Sequence, residues 1–209
     1  MPTEIEIELH APDKNIFDRL LQDEDISQYI KDDISTHHML TRYFDTPDFD
    51  LLNAGYRLRV REIKGNYIAA LKTDNFDDNA AAPAGLTTRH SWQCTVGSSS
   101  DAVSRLIAVG APEEILSIIN SKSLVEISKT DFERTSVVLH MPDGLRVEMA
   151  MDDGFMTANG KELPINRVEL ELLFGDVGNL LSFAQSIIDD YGLEHMPQDS
   201  FRNILNTAG

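Results

Sequence analysis

The feature that most constrains this chain is a two-residue alternation between charged and apolar side chains, repeated in several separate segments. Residues two apart on a strand point to the same face. Glu4, Glu6 and Glu8 therefore share one side, opposite Ile5, Ile7 and Leu9. Arg57, Arg59 and Arg61 share a side opposite Tyr56, Leu58 and Val60. Glu148 with Asp152, and Glu169 with Glu171, repeat the pattern, the latter pair opposite Val168, Leu170 and Leu172. A helical period of 3.6 cannot accommodate such runs, so these segments read as strands with one charged face.

The same reasoning extends to Met39–Phe44, Tyr67–Thr73, Arg89–Val96, Ser128–His140 and Leu145–Met151, separated by turn signals such as Lys64-Gly-Asn66, Pro142-Asp-Gly144 and Asn159-Gly160. With Glu4–His10, Tyr56–Glu62 and Asn166–Leu173 this makes eight expected strands. Helical periodicity appears at Pro12–Gln22, with Asp13 as its cap, and at Asp101–Val109, Pro112–Ile119 and Val177–Asp190. The expected class is α+β with a mostly antiparallel sheet, in one domain over residues 1–209, because no repeat, low-complexity tract or linker interrupts the chain. Residues from Asp74 to Thr88, centred on Asn79-Ala-Ala-Ala-Pro-Ala-Gly85, read as a mobile loop between strands, of the kind that closes over a ligand.

The charged faces admit two arrangements. In one, they meet water and neighbouring strands pair Glu with Arg, as in ordinary half-exposed sheets. In the other, the sheet closes into a barrel with the charge inside. A wet face usually mixes Thr, Ser, Lys and Glu, whereas here one strand is all Arg and three are all carboxylate, which favours the closed form. Such a lumen would combine hard oxygen donors suited to Mg²⁺ or Mn²⁺ with planar guanidinium forks that match phosphate oxygens. Phosphoryl chemistry requires that combination.

Composition narrows the partners. The 209 residues include 18 Lys and Arg against 35 Asp and Glu, a formal net charge of −17. An average surface of that sign repels nucleic acid, so any polyanion site must be local. The single cysteine, Cys94, excludes a disulfide framework and cysteine-rich metal sites, and reads as a buried packing thiol. No basic leader, no apolar stretch of membrane-spanning length and no Gly-rich phosphate loop occurs, so a cytoplasmic protein without membrane contact is expected. His37 and His38 point to opposite faces of a strand and read as surface residues, while Tyr43 reads as a packing or acid–base group.

In order along the chain, Glu6-Ile-Glu8-Leu-His10, Tyr43-Phe-Asp-Thr-Pro47, Gly55-Tyr-Arg-Leu58-Arg59-Val-Arg61, Ala70-Leu-Lys72-Thr73, Phe132-Glu-Arg134, Val147-Glu148-Met-Ala-Met-Asp152-Asp-Gly154 and Val168-Glu169-Leu-Glu171-Leu resemble the motifs of the CYTH superfamily, the triphosphate tunnel metalloenzymes. The resemblance implies an eight-stranded antiparallel β tunnel with a charged lumen and flanking helices. It implies Mg²⁺ or Mn²⁺ on Glu6, Glu8, Glu148, Asp152, Glu169 and Glu171, and a triphosphate gripped by Arg59, Arg61, Lys72, Arg89, Arg134, Arg202 and His10. Glu6, Glu8, Lys72, Arg59 and Arg61 are then the expected catalytic set.

The implied activity is metal-dependent hydrolysis of inorganic triphosphate or a triphosphorylated organic compound. Class IV adenylate cyclisation of a nucleoside triphosphate, or a catalytically weakened polyphosphate sensor, are the alternatives. Family tunnels often pair as homodimers, and the sequence maps no interface.

Three positions depart from the family pattern. His10 stands where the signature has Lys. Arg89-His-Ser-Trp92-Gln93 keeps Arg89 and Trp92 but has Ser91 and Gln93 where carboxylates are usual. Gln198-Asp199-Ser-Phe-Arg202-Asn203 retains only the arginine of a lysine-and-arginine motif. Fewer cations should weaken anion binding, since each charge-assisted contact contributes about 1.5–3 kcal/mol.

Overall fold

The computed structural model describes residues 3–74, 85–196 and 205. Eight strands form a closed antiparallel ring: β1 (Thr3–His10), β2 (Ser35–Asp45), β3 (Tyr56–Ile63), β4 (Asn66–Thr73), β5 (Leu86–Val96), β6 (Val125–His140), β7 (Arg146–Ala158) and β8 (Lys161–Phe174). Their order is β5-β4-β3-β2-β6-β7-β8-β1, and the β1–β5 pairing closes the circuit. A two-residue strand, β9 (Glu194–His195), adds to β1.

Closure explains why charge alternates with apolar residues. The apolar faces point outward and are covered by helices, so the hydrophobic cores lie outside the ring. One core joins Ile7, Leu9, Val137, Leu139, Val147, Met149, Val168 and Leu170 to α1 (Asn15–Gln22), α2 (Glu24–Ser27) and α6 (Val177–Tyr191). A second joins Leu58, Val60, Ala69, Leu71, Trp92 and Val96 to Leu51 of α3 (Asp50–Asn53) and to α4 (Ala102–Ala108) and α5 (Glu114–Ile119). Cys94 is half-buried against this second core. The charged faces are left with only the lumen to occupy.

The expected strands are all present, and several are longer. Asp153–Ala158 pairs with Lys161–Asn166 to extend the β7–β8 hairpin past the expected ends, around an Asn159-Gly160 turn with φ of 49° and 75°. Those positive angles are what a tight two-residue hairpin demands. The extension carries Pro164, which has no ladder N–H to donate, opposite Phe155. Gly154 is equally tied to its neighbour: a Cβ there would lie 2.2 Å from the Asp131 carbonyl oxygen and 2.5 Å from Phe132 Cα.

The short helix α3 and strand β9 go beyond the expected elements. Helix α3 is held by Asp45, whose carboxylate accepts from the amides of Thr46, Leu51 and Leu52 at 2.7–2.9 Å. The aspartate of the Tyr43–Pro47 motif is thus a turn staple. Helix α1 starts at Asn15 rather than Pro12, with Lys14 and not Asp13 at its N-cap; Asp13, one residue earlier, accepts from the Asn15 amide at 2.8 Å. Most of the loop expected between Asp74 and Thr88 lies outside the described residues.

Candidate active site

Cross-strand register sorts the lumen into rows, because directly paired residues project to the same side. On one wall, Glu148 of β7, Glu171 of β8 and Glu6 of β1 stand abreast; Glu169 pairs with Glu8; and Asp152, Arg167 and His10 form the third row. The opposite wall carries the cations. Arg59 pairs with Tyr43, Arg61 with Thr41, and Arg57 with Lys72. A single cavity is lined by Glu6, Glu8 and Glu169 together with Arg59, Arg61, Lys72, Arg89, Arg134, Arg167 and His10.

The carboxylates divide by partner. Asp152, with no exposed side-chain surface, accepts from Arg134 Nε at 2.6 Å and from Arg167 Nη2 at 2.5 Å. Glu169 accepts from Arg134 Nη2 at 2.9 Å, and Glu8 from Arg167 Nη1 at 2.9 Å. Burial alone would push the Glu169 carboxyl up, but Arg134, Arg167 and Lys72 hold it well below its usual range. The same contacts hold both guanidiniums firmly charged against their burial.

The first row behaves oppositely. Among the described residues, Glu148 and Glu171 have no cation within 4.0 Å. Burial, reinforced by Glu4, Glu169 and Glu6, pushes Glu171 up to about 7. Burial also raises Glu148 against the pull of Arg134, and raises Glu6 although Arg89 sits 2.9 Å from it. Glu4 is held below its usual value in spite of burial, by Lys72 at hydrogen-bond distance and by the Ser91 hydroxyl.

On the cationic wall, Arg59 and Arg61 have no carboxylate within 4.0 Å among the described residues. Arg61 instead bonds Thr41 Oγ1 at 2.9 Å and lies over the Phe132 ring at 5.9 Å. Burial, with Arg59 and Arg134 nearby, pulls its guanidinium down to about 9. Burial would lift the Tyr43 phenol, but Arg59, Arg61 and Arg167 together draw it below its ordinary value. Two buried polar atoms beside these residues, Arg89 Nε and Thr130 Oγ1, have no hydrogen-bond partner among the described residues. A pocket this rich in cations and unmet donors fits an anion with many oxygens.

The donor chemistry of the first row suits a hard divalent cation: three carboxylates in register, Glu6 buried and Glu148 and Glu171 half-buried, each disfavoured as an anion where it stands. They do not converge on one point, for among the described residues no group of three or more His, Cys, Asp or Glu side chains is gathered as around an ion.

The structure thus brings Glu6, Glu8, Glu169, Arg59, Arg61, Lys72, Arg89 and Arg134 around one cavity, with Asp152 behind it on Arg134 and Arg167, and Glu148 and Glu171 beside Glu6 in register but not on the cavity wall. His10 lines the same cavity but is exposed. Arg202 and Asp199 lie outside the described residues. Ser91 is buried in the lumen, whereas Gln93 is exposed. His38 is exposed and bonded to Asp131, as expected of a surface histidine, while its neighbour His37 is half-buried. Arg167 was missed by sequence reasoning, although its spacing from Glu169 and Glu171 put it on the charged face.

The family model described as the CYTH domain matches residues 3–200. An inorganic triphosphatase of Haemophilus influenzae is 28% identical over 145 residues, 69% of this chain, and the chain spans 39% of that relative's length. Among solved structures, a proposed adenylyl cyclase of Hippeastrum with a dominant triphosphatase activity superposes with a TM-score of 0.56 at 17% identity, covering 98% of this chain and 95% of its own. A Pyrococcus horikoshii protein gives 0.56 at 14% identity, covering 99% of each. At these identities the two structures share the fold.

Proposed function

The chain belongs to the CYTH family, and from that premise we propose that it is a divalent-metal-dependent hydrolase that grips a triphosphate inside the tunnel. The observation that carries the reading is the pair of enclosed guanidiniums, Arg59 and Arg61, without carboxylate partners among the described residues and facing a wall of carboxylates of which the Glu148–Glu171–Glu6 row is short of positive charge. The triphosphatase relative and the tunnel fold support it.

Arg59 and Arg61 present planar forks that bind phosphate oxygens bidentately, and Arg134, Lys72 and Arg89 extend the cationic track. These groups neutralise charge spread over the phosphate oxygens as a terminal phosphoryl group departs, and they are already in place before substrate enters. The Tyr43 phenol, hydrogen-bonded to Arg59, fixes that guanidinium toward the lumen. Glu148, Glu171 and Glu6 would hold Mg²⁺ or Mn²⁺, which supplies Lewis-acid charge to the phosphate oxygens. Oxygen ligands do not choose between the two ions.

The test is orthophosphate release from tripolyphosphate with Mg²⁺ and, separately, Mn²⁺, with ATP as the comparison substrate. Metal-dependent release from tripolyphosphate is expected. Conversion of ATP to cyclic AMP and pyrophosphate without orthophosphate would replace the hydrolase by a cyclase. Thermal stabilisation by tripolyphosphate with no turnover of either substrate would replace it by a sensor.

A further inference from the structure

The tunnel wall changes character within one step along three adjacent strands. In the ladder of β6, β7 and β8, Arg134, Asp152 and Arg167 form a charged row that ends on His10 of β1. Two residues further along each strand, Phe132, Gly154 and Ile165 stand abreast, and beyond them Thr130, Met156 and Leu163. Residues two apart keep the same face, so these two rows look into the lumen as the charged row does, each about 7 Å beyond the last.

Phe132 marks the boundary. The guanidinium carbons of Arg61 and Arg134 lie 5.9 and 5.7 Å from its ring centroid. Gly154 gives the ring its place, because a Cβ at that position would lie 2.5 Å from Phe132 Cβ. Past the boundary, Met156 is buried, Ile165 half-buried and Leu163 exposed at the mouth. Phe132, Met156, Ile165 and Leu163 line the same cavity as Arg59, Arg61 and Lys72. Met196 completes this end, its amide donating to the Glu8 carbonyl oxygen at 3.0 Å.

A bare phosphate chain uses only the cationic side of such a cavity. Against Met156, Ile165 and Leu163 its oxygens lose water and gain no hydrogen bond. An uncharged apolar group gains from the same surface by covering it. A pocket with one cationic side and one apolar side orients a ligand that has both.

We propose that the tunnel is built for a triphosphate ester whose organic group is uncharged and apolar, the phosphates lying on Arg59, Arg61 and Lys72 and the organic group against Phe132, Met156, Ile165 and Leu163. The inference rests on the function proposed above and names its substrate class. Inorganic triphosphate still binds, through its phosphates alone, and leaves the apolar rows wet.

The test is calorimetry on the metal-free full chain with tripolyphosphate, methyl triphosphate and phenyl triphosphate. The two esters carry the same charge and differ in the ring. Wild type should bind phenyl triphosphate about tenfold or more tighter than methyl triphosphate, and tighter than tripolyphosphate. Leu163→Asn changes an exposed side chain and should fold as wild type while cutting the ratio between the esters to about threefold or less. Ile165→Thr should lower the ratio in the same direction. Phe155→Ser, exposed on the outer face of the same hairpin, should keep the wild-type ratio.

Equal binding of the two esters by wild type, tripolyphosphate as the tightest of the three ligands, or a ratio unmoved in both Leu163→Asn and Ile165→Thr would each overturn the inference while the hydrolase reading stands. A ratio that falls as far in Phe155→Ser as in Leu163→Asn would overturn it too, by placing the ring outside the tunnel. Failure of all three ligands to bind would overturn the proposed function together with the inference.

Discussion

The two groups of carboxylates on the acidic wall are built from the same residue types on the same three strands, yet they behave oppositely. Glu8, Asp152 and Glu169 are clasped by Arg134 and Arg167. Glu148, Glu171 and Glu6 stand abreast with burial and like charge against them, and only Glu6 has a cation in contact. The difference teaches that a row of acids in a lumen is not by itself a metal site. What separates them is how much counter-charge each group already meets: two guanidiniums across Glu8, Asp152 and Glu169, against Arg89 on Glu6 alone.

Removing the counter-charge from the clasped group should have the largest effect. Asp152→Ala leaves Arg134 and Arg167 buried beside an unbalanced site and should cost about 3–5 kcal/mol of stability, read by urea unfolding of the metal-free protein. An unchanged midpoint would mean that the clasp contributes nothing to the fold. On the opposite wall, Arg61→Met should weaken tripolyphosphate binding by about 1.5–3 kcal/mol and cost less in stability, about 0.5–1.5 kcal/mol, since buried Thr41 loses a hydrogen bond but no carboxylate loses a partner. Equal binding by both proteins would remove Arg61 from the anion site.

pH separates the two groups by sign. A folded carboxyl raised above its unfolded value contributes nothing at low pH and costs stability as pH climbs from about 4.5 to the folded value, which is about 7 for Glu171. Glu169, depressed when folded, contributes stability above the unfolded value that is lost as pH falls. The metal-free protein should therefore lose stability between pH 5 and pH 8 through the Glu148–Glu171–Glu6 row. Glu171→Gln should shrink that loss while abolishing metal-dependent turnover, and melting curves at the two pH values measure it. An identical pH dependence in the variant would show that Glu171 is not the strained acid.

The smallest effect is expected at the exposed end of the third row. His10→Lys restores a permanent cation at the cavity and should tighten tripolyphosphate binding by about 0.2–1 kcal/mol, as solvent screening dictates. No change in a titration would show that position 10 does not face bound phosphate.

The sequence by itself determined the strands, their charged faces and their hairpin turns, because side-chain alternation and residues such as Asn159-Gly160 are local properties of the chain. It determined as well that Glu6, Glu8, Glu148, Asp152, Glu169 and Glu171 belong to one face type and Arg59 and Arg61 to the other. It did not reveal that Asp45 ties down a helix, since that role depends on amides six and seven residues away turning back onto it. Nor did it separate the clasped acids from the unclasped ones. Arg167 carries the same period-two signal as its neighbours, and only ring closure and the registers of β1, β7 and β8 decide that its guanidinium meets Glu8 and Asp152 rather than Glu148. Charge balance in an enclosed lumen is set by distances across strands far apart in the chain, and those distances exist only once the barrel has closed.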